Sequence, residues 1–590
     1  MSRLSLPYLF FWCFAAWSLG GMHFFMHNPG GSGLYLPFNM TGWILISLMT
    51  GLGLWQMTLN RVVVYSRFHL CCWLACLLML VPLLYSHAEL AARALPRLAG
   101  LAGGLLFWFA LLQCRFNEQQ RWRLLYFLLA AVSLEITLGL VQYYLLEPGN
   151  AIGYNTKANR PYGIFQQPNV MASFMATGLL LAWYLWLADR RTLPAIRRVW
   201  LGAVLITTAL LLIVLQSRVG LLGGLAGILL MLPFSWQRSR RETLLLLGLV
   251  TLGVGLAVIS LSLVDSVQRN TGIYSSPGIR QYYWQQSLAL MGQHLWTGVG
   301  YGDFERQFME FYTRQRELID GLPPMEPNLN HPHNELLLWG VEGGLLPVLA
   351  IVSVALMFIW QLRKLPWRHA LAMSALVWPI ALHSQTEYPF YHSLAHWITL
   401  LVLLYWIDLQ LQPGQQIPYR PRLLARFSAL LLPLLVVTFM FTGLQTARVV
   451  TLYERGGSRE PALLQSALNP LAWLGRIEFN AMSLRLKAGA ARQDEQALQD
   501  YLNWGQEYVR HTPRASVYRN MVLALHFLDR PEEAQQLLLH ARHYYPGEQK
   551  LSHTHIQRAL SAAVSAPATA VPESGTNRTL NSRDHHFPVR

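Results

Sequence analysis

Charge is what this sequence has little of. Of its 590 residues only 13% are charged, while 53% are hydrophobic. An ordinary soluble domain carries roughly 25% charged residues. The shortage excludes a soluble globular protein of ordinary composition. Acidic residues are the scarcer sign: 30 Asp and Glu stand against 46 Lys and Arg, a net charge of +16. A nucleic-acid binder would gather that excess on one soluble face. Here the basic residues sit in short loops between apolar blocks instead. Cysteine is sparse as well. Cys13, Cys71, Cys72, Cys76 and Cys114 all fall within or beside apolar blocks. That excludes a disulfide framework in the exposed segments, and the spacing fits no zinc site.

What the sequence does have is apolar blocks. About thirteen are long enough to cross roughly 30 Å of hydrocarbon as α-helices. They run from Leu6–Phe25 to Phe427–Gln445, with Glu335–Trp360 as the tenth and Ala370–Leu382 as the eleventh. Lys and Arg cluster at Arg3 and then in every second loop, at Arg61/Arg67, Arg115/Arg121/Arg123, Arg190/Arg191/Arg197/Arg198, Arg238/Arg240/Arg241, Arg363/Lys364/Arg368 and Arg420/Arg422/Arg426. Cytoplasmic loops collect these residues. The N-terminus is therefore expected inside and the C-terminus outside. No Ala-x-Ala site follows the first block, so it reads as a retained span.

The expected organisation is a transmembrane domain over 1–446, with its largest outer loop at 265–334. A soluble helical domain follows over 447–560, then a disordered tail over 561–590. The tail's last residues are rich in Ala, Pro, Ser, Thr and Asn without periodicity. Within Val517–Tyr544 the apolar spacing, broken at Asp529-Arg530-Pro531, resembles a tetratricopeptide-type helical hairpin.

Candidate chemistry lies in the outer segments. Asn330-His331-Pro332-His333-Asn334-Glu335 opens the tenth block. Imidazole works as a base near neutral pH, and Asn334 can fix its orientation. Two other readings stand beside this one. Both histidines can simply cap a helix at the water interface. A His-x-His metal pair can also be completed by Glu335, His294, His383 or His392.

Arg218 follows Gln216-Ser217 in the shortest outer turn. Arg280 opens Gln281-Tyr282-Tyr283-Trp284, and Arg160 opens the run to Gln167-Pro168-Asn169. Outer arginines at the membrane edge run against the charge rule, and guanidinium grips phosphate oxygens in a fork. Interfacial anchoring is the alternative. Glu387 and Tyr388, after His383-Ser384, are a carboxylate for an arginine or His333 and an aromatic for a sugar ring. A salt bridge holding the loop is equally consistent with Glu387. Gly298-Val299-Gly300-Tyr301-Gly302 lacks the following Lys-Ser/Thr of a nucleotide loop and reads as a turn packed on aromatics.

An Arg in a short turn, an Arg opening a long outer loop, then His-x-His-Asn: this order resembles the O-antigen ligase and polymerase superfamily. Arg160-Pro161-Tyr162-Gly163 through Asn169, with His383-Ser384 and Glu387-Tyr388-Pro389, is similar to its protein O-oligosaccharyltransferase branch. The resemblance covers roughly residues 1–450 and extends to that branch's C-terminal region. It implies an all-α polytopic C-type glycosyltransferase fold in the bacterial inner membrane, with the active site in the periplasm. It further implies inverting, metal-independent, en bloc transfer of an oligosaccharide from undecaprenyl pyrophosphate to Ser or Thr of a periplasmic, pilin-like protein. No cofactor and no nucleic acid is implied. By position, the resemblance makes His333, Arg218 and Arg280 catalytic. It assigns Arg160, Gln167, Asn169, His331, Asn334, Glu387 and Tyr388 to substrate. Ligation to lipid A-core and O-antigen polymerisation share the layout. A transporter is the reading from another class. Its ionisable groups would lie near the midplane, whereas these gather at one face.

Overall fold

The computed structural model describes residues 5–189, 194–264, 278–458 and 460–564. Arg3, Arg190, Arg191, the start of the outer loop (265–277) and the end of the expected tail (565–590) lie outside the described residues. The chain divides into two compact units. The first comprises Met1–Leu77, Ala99–Pro277 and Ala350–Arg448. The second comprises Leu78–Leu98, Gly278–Leu349 and Val449–Arg590.

Among the described residues eleven helices are long and apolar enough to cross a membrane. Two further expected spans fall short of that measure. Leu6–Leu19 has 14 residues, and Trp367–Ser384 carries Arg368, His369 and an internal Pro379. Among the described residues the molecule is an all-α polytopic membrane protein but for one clip. Val62–Tyr65 pairs antiparallel with Gln415–Pro418, Val62 opposite Pro418. Three successive valines and a tyrosine favour extended backbone, and both strands are too short to show as a period in the sequence.

The first unit is built around Pro168–Ala188. This helix starts at a favourable Pro, and its apolar window is 94% buried. Arg240–Leu263 is only 22% buried over its window, as expected of a lipid-facing helix. Arg218–Arg238 approaches the central helix closely because two glycines face it. A Cβ on Gly220 would lie 2.4 Å from Ala172 Cβ, and one on Gly227 would lie 2.2 Å from Leu180 Cδ1. Small residues at such crossings let backbones pack without a hydrophobic driving force.

The expected tenth span is divided. Glu335–Gly343 is one helix and Leu345–Leu362 the next. Gly344 between them has φ 75° and ψ −158°, and a Cβ there would lie 2.3 Å from Trp296 O. The membrane-length helix therefore begins at Leu345, and His333-Asn334 opens a separate nine-residue helix. The glycine loop packs as the sequence suggests. Val299 N–H donates to Val341 O (2.8 Å) and Gly300 N–H to Glu342 O (3.0 Å). Tyr301 is buried edge-on against Trp339. Arg97 lies over both rings and pairs with Glu342.

Helices Leu474–Arg492, Glu495–His511, Ala515–Phe527, Pro531–Tyr544 and His553–Val564 follow one another through short turns. Their inner faces share one apolar core with the loop helix Phe304–Leu318. Glu305 Oε2 lies 2.5 Å from Arg514 Nη1, and Arg316 donates to His543 O at 2.5 Å. Burial disfavours charge on Arg514, but Glu305 outweighs it and raises the guanidinium's pKa.

Candidate active site

In the first unit, the Arg160–Asn169 segment is tied to the turn that presents Arg218. Arg160 Nε and Nη2 both donate to Leu215 O, at 3.0 and 2.9 Å. Gln216 takes the left-handed conformation (φ 47°), which reverses the chain within three residues. Ser217 then caps the next helix through Gly220 N–H and donates to Asn169 Oδ1 at 2.8 Å. Asn169 Nδ2 donates to Glu387 Oε1 at 3.4 Å. Gln167 caps the central helix, its Oε1 accepting from Asn169 N–H at 2.6 Å. Arg160, Gln167, Asn169 and Glu387 are thus brought together, with Arg218 the first residue of the capped helix.

Glu387 is buried. Tyr388 beside it is half-buried; burial outweighs a hydrogen bond to Ser32 and pushes its phenol up to about 12. Four residues on, burial lowers the pKa of His392, against the opposing pull of Phe165 O and Glu387. His392 Nε2 lies 2.9 Å from Phe165 O.

In the second unit, His333 holds φ 54°, a left-handed conformation uncommon for any residue but glycine. Two rings lie close to it. The His331 ring centroid is 4.4 Å away, and Tyr283 is nearly parallel at 6.3 Å and 16°. Tyr283 stands one turn after Arg280, which opens its helix. The Tyr283 hydroxyl accepts from Glu326 N–H at 2.9 Å, and burial raises its pKa. His331 Nδ1 meets Asn330 Oδ1 at 2.7 Å. Asn334 caps the Glu335–Gly343 helix through Leu337 N–H at 2.9 Å. Arg280, His331, His333 and Asn334 therefore share one neighbourhood. The side chain that caps this helix is that of Asn334, not of either histidine.

His383, singled out in the sequence, meets two polar residues that give no signal there, Ser173 and His396. Ser173 Oγ bridges His383 Nδ1 (2.7 Å) and His396 Nε2 (3.0 Å). All three are fully buried, and the cluster fastens the central helix to its neighbours. Glu135, Gln142 and His23 are equally silent, lone polar residues in or beside apolar blocks.

This is a multi-pass membrane protein in which Asn169, Arg218, Arg280 and Asn334 stand at the starts of helices. Comparison with known proteins narrows the class. Residues 161–186 match the family model described as "Protein glycosylation ligase". Residues 203–352 match "O-Antigen ligase". Residues 371–559 match "Virulence factor membrane-bound polymerase, C-terminal". Gln167 and Asn169 fall in the first match, Arg218, Arg280, His331, His333 and Asn334 in the second, and Glu387 and Tyr388 in the third. A curated protein of Acinetobacter baylyi, named "General O-oligosaccharyltransferase", is 26% identical over 376 residues. The alignment covers 59% of this chain and 62% of that relative's length. The chain thus resembles the O-antigen ligase superfamily and, within it, the O-oligosaccharyltransferases.

Proposed function

We propose that this protein transfers an oligosaccharide en bloc from undecaprenyl pyrophosphate to Ser or Thr hydroxyls of periplasmic proteins such as pilins. It works from the bacterial inner membrane with about thirteen spans and a cytoplasmic N-terminus. The active site and a tetratricopeptide-like domain over 447–560 face the periplasm. The observation that carries the reading is the hydrogen-bonded frame Arg160–Leu215 O, Ser217–Asn169 and Asn169–Glu387 around the turn that presents Arg218. A frame of this kind holds a guanidinium in place before the donor arrives.

His333 accepts the proton of the attacking hydroxyl, a weak nucleophile that gains from a nearby base. Its Tyr283 and His331 neighbours restrict the ring. Arg218 and Arg280 stabilise the departing undecaprenyl pyrophosphate. Each well-placed donor of this kind is worth on the order of 3 kcal/mol, about 10² in rate. Gln167, Asn169, His331, Asn334, Glu387 and Tyr388 position donor or acceptor, and no cofactor or metal takes part. A single attack at the anomeric carbon inverts its configuration. Incubating purified enzyme with lipid-linked glycan and either a pilin-type protein or lipid A-core tests this. Transfer to lipid A-core alone would replace the reading with that of an O-antigen ligase, which the match over 203–352 favours as the second choice.

A further inference from the structure

The Glu118–Tyr144 helix carries Glu135 and Gln142 seven residues apart, hence on one face. Both side chains are buried, Glu135 completely. A carboxylate inside a membrane bundle is expensive and needs specific partners. Glu135 has two. Its Oε1 lies 2.6 Å from His23 Nδ1, and its Oε2 accepts from Ile164 N–H at 2.9 Å. The ring of His23 is anchored in turn, with Nε2 3.0 Å from Ser18 O.

Gln142 completes the arrangement. Its Oε1 accepts from Tyr162 N–H (2.9 Å) and Gly163 N–H (2.8 Å), and its Nε2 donates to Gly163 O (2.9 Å). Two side chains of one helix thus hold four backbone groups in three consecutive residues. Gly163 fits this bed because it has no side chain. Its φ is 59°, and a Cβ would lie 2.1 Å from Glu135 Oε2. Gly139, between the two polar residues, lets the central helix come near, since a Cβ there would meet Met171 Cε at 3.0 Å.

The held residues lie between Arg160, which grips Leu215 O, and Asn169, which grips Ser217. We infer that Glu135, backed by His23, and Gln142 are positioning residues for the donor. By templating Tyr162–Ile164 they set the two arms that carry the Ser217–Arg218 turn. The inference rests on the transfer reaction proposed above.

The test uses the full-length enzyme with lipid-linked oligosaccharide and protein acceptor, and measures kcat and each KM. Glu135→Ala and Gln142→Ala are expected to raise the donor KM about tenfold and leave the acceptor KM unmoved, because the turn they support serves the donor. Glu135→Gln keeps an acceptor for Ile164 N–H and is expected to restore most of the donor KM. A purely structural role would lower the amount of active enzyme, and so kcat, without moving that constant. Should Glu135→Ala fail to accumulate, Gly163→Ala, which pushes the segment off Glu135, is expected to reproduce the donor-side change. A donor KM within about twofold of wild type in Gln142→Ala and Gly163→Ala overturns the inference alone. A wild-type enzyme that transfers glycan to no acceptor overturns the function and the inference together.

Discussion

The His333 imidazole and the Tyr283 ring lie nearly parallel, 6.3 Å between centroids and 16° apart. Tyr283 is itself fully buried and held by Glu326 N–H. The ring beside the imidazole is therefore held by burial and by the hydrogen bond at its hydroxyl. Two substitutions separate its parts. His333→Ala is expected to abolish transfer at unchanged protein level. Tyr283→Phe keeps the ring and loses one hydrogen bond, worth about 1 kcal/mol, so it should lower kcat only severalfold. Glycoprotein yield in cells, normalised to enzyme level, checks both. Full transfer by His333→Ala would remove the imidazole from the chemistry.

Ser217 performs two tasks, capping the Arg218–Arg238 helix and holding Asn169. Ser217→Ala should cost about 1 kcal/mol in stability by removing the cap. It should also raise the donor KM severalfold, because Arg218 is the next residue. Ser217→Thr, which retains the hydroxyl, should do neither. Thermal denaturation in detergent alongside donor titration reads the two effects separately.

Gly344 divides two helices in a conformation open essentially to glycine alone. Gly344→Ala adds backbone strain of roughly 1–3 kcal/mol and sets a methyl against Trp296 O. The expected outcome is a sharply lower melting temperature and reduced accumulation. Gly248→Ala, where a Cβ meets nothing within 4 Å, serves as the silent comparison.

Burial lowers the His392 pKa below its ordinary 6.5. The unfolded chain therefore takes up this proton first as pH falls. Stability contributed by neutral His392 is complete above about pH 6.5 and declines below it, down to the folded-state pKa. The slope is at most about 1.4 kcal/mol per pH unit for one proton. Melting temperature should drop between pH 7 and pH 5, and His392→Gln should flatten that part of the profile. An unchanged slope in the variant would assign the acid sensitivity to other groups.

The sequence made the membrane helices legible because hydrocarbon demands long uncharged runs, and Pro168–Ala188 or Arg240–Leu263 could hardly read otherwise. The candidate residues were legible for the converse reason: Arg160, Arg218 and His333 are polar where a span ends. Glu135 was hidden because one carboxylate barely dents the hydropathy of a 27-residue helix. Its partner His23 lies in another segment, and nothing local announces the pair. The division at Gly344 was hidden likewise, since Glu335–Trp360 is apolar apart from Glu335 and Glu342 and reads as one block. The positive φ of Gly344 breaks the helix there, and Trp296 O leaves no room for a side chain. The bond of Arg514 to Glu305 links residues far apart in sequence, and spacing alone cannot place such a pair.

The strand pair between Val62–Tyr65 and Gln415–Pro418 also bears on biogenesis. Its two halves leave the ribosome at opposite ends of synthesis of the membrane unit. Val62–Tyr65 must wait, its ladder groups unpaired, while most of the helices are inserted. The latch closes only when the last loop emerges, so a chain truncated before Gln415 would leave Val62–Tyr65 an edge without its partner strand.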